Sequence, residues 1–369
     1  MNYTRSVAPN EVVFAHNFRI RRARCRVWFA LCGFALLACT GRAAAQVPQG
    51  VFSIANGGLQ PQDEVLADPN VDGVTLRQDW ASLEPTEGRF DFSYLDLAVA
   101  NVAASGKKVL LRIATQSKKP AWVTTAVQNA GGLFFTFIDD GASTSIPVFW
   151  DPTFLAKKKA MIAALGRHFT KNPAVAIVWV SFANATSEDW NVPHTPQYVA
   201  KWFRLGYTSE KLIDAGRQLI DATMVAFPNQ YLTLAVGGNG HVGATGNLDP
   251  TADYVAREAV NYARATWPGR LIVQKNDLST LNPAAPGTGT LYEMIWDFRP
   301  DVGGQMVYQC SNDPSYRVNG GVPIDPGLAL TLSINNALSY DEKYVEIYQI
   351  DVVNLPTVIK AAHRALTAP

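Results

Sequence analysis

The sequence predicts an α/β protein of the (β/α)8 TIM-barrel class, as a single domain over residues 46–369 that follows a signal peptide. The chain has 369 residues and is 48% hydrophobic, enough for one large buried core. Eight short runs rich in Val, Ile and Leu recur along it, as expected for strands buried on both faces. Helical patterns separate most of these runs, and a barrel of this class takes about 250 residues.

The eight strand-like runs are short and apolar, and they lie at 50–56, 71–79, 107–115, 175–183, 231–238, 270–277, 304–310 and 343–351. The clearest helical runs have apolar residues at helical spacing and lie at 96–105, 154–169, 208–227, 252–267 and 327–338. An open doubly wound sheet is the alternative architecture. The sequence lacks the Gly-rich first turn that is typical of that fold, which favours the barrel.

Two insertions lengthen loops that follow strands. Residues 133–150 contain two β-like runs around a Gly/Ser turn and predict a hairpin, whereas residues 282–290 form a Pro/Gly-rich loop. Active sites of (β/α)8 barrels are built from the loops at the carboxyl ends of the strands. We therefore look for chemistry at the ends of the predicted strands.

The N-terminal 45 residues have the pattern of a signal peptide. Arg-rich residues 19–26 precede an apolar run at 27–39, and Ala43 and Ala45 predict cleavage before Gln46. The apolar run is too short to span a membrane, and no later segment is long enough either. We expect export to the periplasm or the exterior, with a lipid anchor on Cys39 as an alternative. The mature chain keeps only Cys310, so no internal disulfide can form.

Charge and motifs exclude several classes of protein. The net charge is +1, and the Arg-rich N-terminus accounts for the positive excess, so the mature chain is mildly acidic and does not favour nucleic-acid binding. The sequence contains no phosphate loop, dinucleotide fingerprint or Gly-x-Ser-x-Gly elbow. Its scattered histidines match no zinc spacing, so we expect neither a cofactor nor a metal. The oligomeric state stays open.

Two glutamates stand out near strand ends. Glu346 lies within the last strand, where period-two alternation points it into the barrel. A carboxylate there is costly unless it is paired or takes part in function, and an ion pair with a barrel Arg is the alternative reading. Glu188 lies in the loop after the fourth strand, where it could equally be a solvated helix-start acid. Both are therefore candidate catalytic residues.

Other polar and aromatic residues near strand ends are candidates for substrate contact. Tryptophans after strands, including Trp150, suit stacking on pyranose rings, with core packing as the alternative. The predicted substrate-binding residues are Arg77, Trp80, Arg112, Trp122, Asn184, Trp190, His194, Asn239, His241, Asp277, Gln309 and Tyr348.

Three consecutive segments of the chain resemble a known family. Residues 73–96, "GVTLRQDWASLEPTEGRFDFSYLD", resemble the second-strand signature of clan A glycoside hydrolases such as the bacterial β-galactosidases. Residues 107–123 are similar to their third strand with its Pro-x-Trp exit, and residues 147–182 to the helix and fourth strand that follow. The resemblance covers roughly 73–190 and implies a (β/α)8 glycosidase acting on a carbohydrate. The signature at 73–96 is structural rather than catalytic.

The sequence departs from this clan at both catalytic positions. A Glu would follow Asn184 and another would end the seventh strand, but this chain has Ala185 and Gln309 there. Glycoside hydrolysis generally needs two carboxylates, about 5 Å apart for retention and about 6.5–9.5 Å for inversion.

We therefore expect a displaced catalytic pair. Glu188 is the predicted general acid, with its pKa raised by apolar neighbours such as Trp190. Glu346 is the predicted base or oxocarbenium stabiliser, kept ionised by Arg77 or Arg112. Strands four and eight are opposite in the ring, which suits inversion.

Two alternatives remain at this stage. Ala185 and Gln309 favour a barrel that binds saccharide without cleaving it. A different barrel hydrolase would use His241 and Asp277.

Overall fold

The protein forms a closed barrel of eight parallel strands in a computed structural model that describes residues 47–186, 188–237, 253–283 and 291–368. In chain order the strands are β1 (Gly50–Ile54), β2 (Gly73–Asp79), β3 (Lys108–Ala114), β4 (Phe134–Asp139), β5 (Ala142–Pro147), β6 (Val175–Trp179), β7 (Tyr231–Ala235), β8 (Leu271–Leu278), β9 (Val302–Met306) and β10 (Tyr344–Tyr348). Strands β4 and β5 stand apart as a separate pair. The others close in the order β1-β10-β9-β8-β7-β6-β3-β2, so the predicted barrel is confirmed.

Helices connect most of the barrel strands. They are α1 (Asp63–Ala67), α2 (Trp80–Leu83), α3 (Ser93–Ala104), α4 (Ala121–Asn129), α5 (Pro152–Phe169), α6 (Pro196–Arg204), α7 (Ser209–Ala226), α8 (Tyr254–Thr266), α9 (Leu291–Asp297), α10 (Pro326–Ser339), α11 (Gln349–Asn354) and α12 (Pro356–Leu366). A π-helical turn covers Pro314–Val318. Within the described residues, no helix has the length and apolar character needed to cross a membrane.

Two of the longer helices begin with the same local signal. In α5 the Asp151 side chain accepts the Phe154 backbone N–H at 2.8 Å, and in α10 Asp325 accepts that of Leu328 at 2.9 Å. In each helix a proline follows the aspartate directly. An aspartate cap satisfies an N–H that the helix leaves unpaired, and the fixed φ of proline suits the first turn. The sequence alone thus specifies where these helices begin.

The predicted hairpin is present as β4 and β5, which pair antiparallel with Phe134 opposite Pro147. Its tight turn places Asp140 at φ 48° and Gly141 at φ 80°. Positive φ at both central residues matches the twist of a two-stranded ribbon, and Asp-Gly is a preferred pair for it. The hairpin therefore follows from local turn chemistry.

The end of the barrel near the amino ends of the strands is filled with apolar side chains. The rings of Phe52 and Tyr344 meet there with centroids 5.2 Å apart, next to Leu110, Ile177 and Ile272. Two glycines make room for these rings. A Cβ on Gly73 would come within 2.3 Å of the Phe52 ring, and one on Gly303 within 2.7 Å of the Tyr344 ring. This half of the interior is filled mainly by apolar side chains.

Candidate active site

A layer of polar side chains lies above the apolar filling, toward the carboxyl ends of the strands. Its centre is Glu346 on β10, whose side chain is fully buried. The Thr75 hydroxyl and the Gln274 amide donate to its carboxylate, and Arg112 donates from Nη2 at 2.5 Å. A buried carboxylate needs such donors, because otherwise it loses its hydration without replacement. The expected inward orientation of Glu346 and its pairing with a barrel Arg are both present.

Arg112 joins this layer to the mouth of the barrel. Its Nη1 donates to Gln305 Oε1 at 2.8 Å, and its guanidinium lies 3.7 Å from the centre of the Trp179 ring. The same Nη1 is 3.7 Å from a carboxylate oxygen of Glu188 and 3.7 Å from one of Asp189. One buried cation therefore contacts acids both below it and above it.

The loop after β6 holds Glu188 through its backbone. The Asn184 side chain donates to the Glu188 carbonyl at 2.7 Å, and the Trp179 indole donates to the same oxygen at 2.8 Å. Asn184 is itself buried, so it positions the loop rather than facing a ligand. Ala185 is fully buried, and its backbone N–H donates to the Asn191 carbonyl. The residue that follows Asn184 is therefore an alanine with no carboxylate.

Glu188 forms an ion pair with Arg77 and lies close to Arg112. We expected burial to raise its pKa. Burial does act in that direction, but the charges of Arg77 and Arg112 and the hydrogen bond from Arg77 outweigh it, and the pKa is lowered. The sequence-based expectation of a raised pKa was wrong, because the two arginines come from distant strands. Glu188 is thus held as a carboxylate.

Asp189 has the opposite electrostatic environment. Its pKa is raised, first because the barrel mouth limits its hydration and also because Glu188 and Glu346 are negatively charged, whereas Arg112 acts against this. Its side chain is 40% exposed, and its carboxylate accepts from the Asn276 amide at 2.6 Å. Asp189 was not among the predicted site residues, although the adjacent acids of "SEDW" could have indicated it.

Three cavities surround this charged centre at the barrel mouth. The Arg77 cavity, about 470 Å³, lies beside β1 to β3 and includes Gly57, Arg77, Asp79, Lys118 and Glu188. The Lys275 cavity, about 360 Å³, lies beside β6 to β9 and includes Asp189, Trp190, His194, Lys275 and Asp277. The amide cavity, about 420 Å³, lies beside β9, β10 and β1 and includes Asn56, Gln309, Asn312, Tyr348 and Gln349. The neighbours Glu188 and Asp189 therefore line two different cavities.

Six of the predicted substrate-binding residues line the three cavities. Arg77 lines the Arg77 cavity; Trp190, His194 and Asp277 line the Lys275 cavity; Gln309 and Tyr348 line the amide cavity. Arg112 lies beneath them and Asn184 supports the loop.

Trp80 and Trp122 belong to the core side of the fold. Trp80 is fully buried, packs edge-on against Trp122 and donates to Glu84 at 2.8 Å. Trp122 is partly buried and donates to the Glu84 carbonyl at 2.9 Å. The prediction that Trp80 stacks on a sugar was wrong, because the short helix α2 turns its ring inward against Phe154. Asn239 and His241 lie outside the described residues.

Glu188 and Glu346 contact the same guanidinium. Their carboxylate oxygens lie 3.7 Å from Nη1 and 2.5 Å from Nη2 of Arg112, respectively. Glu346, however, is enclosed by Thr75, Arg112 and Gln274, which occupy its oxygens. The carboxylates that line open cavities are Glu188 and Asp189.

Among the described residues, no group of three or more His, Cys, Asp or Glu is arranged to bind a metal ion. The charged groups at the mouth are instead matched as ion pairs, such as Lys275 with Asp277 at 2.7 Å. The arrangement can thus supply one ionised carboxylate, one carboxyl with a raised pKa and a fixed cation between them.

The protein is a (β/α)8 barrel with acidic side chains at the mouth near the carboxyl ends of its strands. Residues 64–207 match the family model described as β-galactosidase, glycoside hydrolase family 42. This match includes the whole of the 73–190 segment, so the resemblance noted there is confirmed. No curated protein sequence matches the chain.

Solved structures share this fold at low sequence identity. The catalytic domain of a β-amylase from Paenibacillus polymyxa is 10% identical with a TM-score of 0.58, over 88% of this chain and 99% of that one. A β-galactosidase from the psychrophilic Marinomonas ef1 is 13% identical with a TM-score of 0.52, over 86% of this chain and 59% of that one. A cold-adapted β-galactosidase from Rahnella sp. R3 is 11% identical with a TM-score of 0.51, over 87% and 57%. The chain thus spans less than two thirds of these β-galactosidases.

Proposed function

We propose that this protein hydrolyses O-glycosidic bonds of an oligo- or polysaccharide, with Glu188 and Asp189 as the two working carboxyl groups. One observation carries the proposal. The two neighbours lie 3.7 Å from the same nitrogen of Arg112, and their pKa values are shifted in opposite directions. Titratable pairs whose environments separate their pKa values are typical of acid and base assignments in glycosidases.

The roles follow from these shifts. Asp189, which keeps its proton to higher pH, donates it to the leaving glycosidic oxygen. Glu188, held as a carboxylate by Arg77, either takes a proton from the attacking water or stabilises the developing oxocarbenium ion. The two residues line different cavities, so a glycan that spans both would place one sugar in each. Its scissile bond would lie between the two carboxyl groups.

Glu346 is assigned a supporting role in this proposal. It is fully buried, and its carboxylate fixes the Arg112 guanidinium that contacts both working acids. The clan's usual second carboxylate has no counterpart on β9, where the inward side chain Gln305 contacts Arg112. We therefore treat Glu346 as a positioning residue rather than as the catalytic base first expected.

The test is hydrolysis of a broad glycan panel by residues 46–369, with products identified by mass spectrometry. Asp189→Asn and Glu188→Gln should each slow product formation by about 100-fold or more while the protein stays folded. Asp277→Asn tests the competing acid, because Asp277 also lines the Lys275 cavity. Full loss in Asp277→Asn with activity retained in Asp189→Asn would contradict the assignment, and would favour the hydrolase that uses Asp277.

A second candidate function is saccharide binding without cleavage. The observations that favour it are Ala185 and Gln309, which stand where the clan's catalytic glutamates would be. If the panel shows binding but no products, and Asp189→Asn binds as the unchanged protein does, this second function replaces the first.

Export is part of the proposal as well. The Arg-rich and apolar N-terminal residues and the Ala43-x-Ala45 site favour cleavage before Gln46 and release into the periplasm or outside the cell. The N-terminal sequence of the protein purified from a host that secretes it would begin at Gln46. A lipid-modified N-terminus at Cys39 would instead indicate a membrane-anchored form.

A further inference from the structure

The amide cavity differs in its chemistry from the two cavities that contain the working acids. Six of its side chains are carboxamides: Asn56, Gln62, Gln309, Asn312, Gln349 and Asn354. The other described residues that line it are Tyr348, Ile350 and Val353, so the described part of its wall has no carboxylate, ammonium or guanidinium group. The Arg77 and Lys275 cavities each combine cations with carboxylates.

A wall of carboxamides fits one class of ligand. Each amide offers a donor and an acceptor without a net charge, and so matches hydroxyl groups that also donate and accept. Ile350 and Val353 add apolar surface, which suits the C–H face of a sugar ring. A charged sugar would find no partner of opposite charge here, and its desolvation would go uncompensated.

The walls of the amide cavity are fixed to each other by a buried carboxylate. Asp351 on α11 is fully buried and accepts the backbone N–H groups of Cys310 at 2.8 Å and Ser311 at 2.7 Å. This joins the loop of Gln309 and Asn312 to the helix that carries Gln349. The Asn312 amide also donates to Gln309 Oε1. The cavity is thus preformed, which lowers the ordering that binding would require.

The amide cavity adjoins the reaction centre through Tyr348. This residue ends β10, two positions after Glu346, and lines the cavity. Its ring is partly buried, and burial and the negative charge of Asp189 raise the pKa of its phenol, whereas Arg77 and Arg112 act against this. Because residues two apart on a strand face the same side, a ligand in the amide cavity would contact the side chain next to Glu346 on that face of β10.

We propose that the amide cavity binds a neutral pyranose unit of a glycan whose chain continues past the Glu188–Asp189 loop. The inference rests on the proposed function, because it adds a third sugar position to the same mouth. It makes the substrate an oligosaccharide longer than a disaccharide, with an uncharged sugar at this position.

Binding is measured by calorimetry on Asp189→Asn, in which cleavage does not disturb the titration. The probes are neutral galacto-, gluco-, manno- and xylo-oligosaccharides of two to six units, with oligogalacturonides of equal length as charged counterparts. In this background we add Gln309→Ala with Asn312→Ala, and separately Asn129→Ala. Asn129 is an exposed amide at the end of α4, outside all three cavities, and is the matched control.

We expect longer neutral oligosaccharides to bind more tightly than the shortest ones. The double variant should bind the longer ones about ten-fold more weakly, as expected for the loss of two hydrogen bonds to neutral groups. The shortest oligosaccharides and the Asn129→Ala protein should show no change, and thermal unfolding should confirm the fold of each variant. The proposal is overturned if no neutral oligosaccharide binds, or if the double variant binds every length as tightly as its Asp189→Asn parent does. It is also overturned if oligogalacturonides bind as tightly as neutral oligosaccharides of the same length. Should the neutral chains bind as expected while the unaltered protein cleaves none of them, the hydrolase proposal fails and this sugar position stands.

Discussion

The two halves of the barrel interior are built on the same eight strands but have opposite chemistry. Near the amino ends, Phe52 and Tyr344 fill the space with Leu110, Ile177 and Ile272. Near the carboxyl ends, Arg112 pairs with Glu346 at the centre of a polar layer, and it also lies close to Glu188 at the mouth. Both halves are buried, so the difference is not one of exposure.

The contrast shows what a buried charge requires. The apolar half stabilises the fold by removing nonpolar surface from water, in proportion to the area buried. In the polar half every charge needs donors or an opposite charge, and the structure supplies Thr75, Gln274 and Arg112 around Glu346. We expect changes in the first half to affect stability alone, and changes in the second to affect stability and chemistry together.

The largest expected effect is on catalysis at the mouth. Asp189→Asn should lower kcat by about 100-fold to 10,000-fold, as for loss of a general acid, with little change in stability. The unaltered protein should lose activity below the lowered pKa of Glu188 and again above the raised pKa of Asp189. The pH–rate profile measures both limbs. An unchanged alkaline limb in Asp189→Asn would remove Asp189 from the mechanism.

Glu346→Gln removes the buried negative charge that pairs with Arg112 in the polar half. We expect about 3–5 kcal/mol less free energy of unfolding, because Arg112 loses its charged partner in a fully buried site. Since Arg112 also contacts Glu188 and Asp189, the pH–rate profile should shift as well. Urea unfolding gives the first effect and kinetics the second. Lost stability with an unmoved pH profile would show that Glu346 has no influence on the mouth.

Phe52→Ala tests the apolar half. It should lower the free energy of unfolding by about 3–5 kcal/mol through the cavity it leaves, with kcat of the surviving folded protein unchanged. The comparison with Glu346→Gln is direct, because both side chains are fully buried and neighbouring strands carry them. A changed kcat in folded Phe52→Ala would mean that the two halves are coupled.

A smaller effect concerns Glu342, a buried carboxylate just outside the amino end of β10. Its two oxygens have no hydrogen-bond partner among the described residues, and burial, helped by Asp277, raises its pKa to about 8. A carboxyl whose pKa is higher in the folded than in the unfolded state makes the fold less stable as pH rises between the two values, here from about 4.5 to 8.

Glu342→Gln should therefore change little at pH 5 and raise the free energy of unfolding by about 2–4 kcal/mol at pH 9. Urea unfolding at both pH values measures the difference. Equal effects at the two pH values would mean that Glu342 does not titrate in this range. Glu346, with three donors, provides the contrast within the same strand region.

Much of the architecture follows from the sequence by itself. The eight apolar runs, the Asp-Pro starts of α5 and α10 and the Asp140-Gly141 turn are local signals, because each depends on residues adjacent in the chain. Alternation within β10 also predicted the inward direction of Glu346, since side chains of a strand alternate between faces.

Tertiary structure alone decided the protonation of the acids and the placement of the aromatic rings. Arg77 and Arg112 come from β2 and β3 to lower the pKa of Glu188, and no local pattern places them there. The burial of Trp80 likewise depends on its contacts with Trp122 and Phe154. Secondary structure is set by neighbours along the chain, whereas a pKa depends on charges and burial in space, which only the closed barrel brings together.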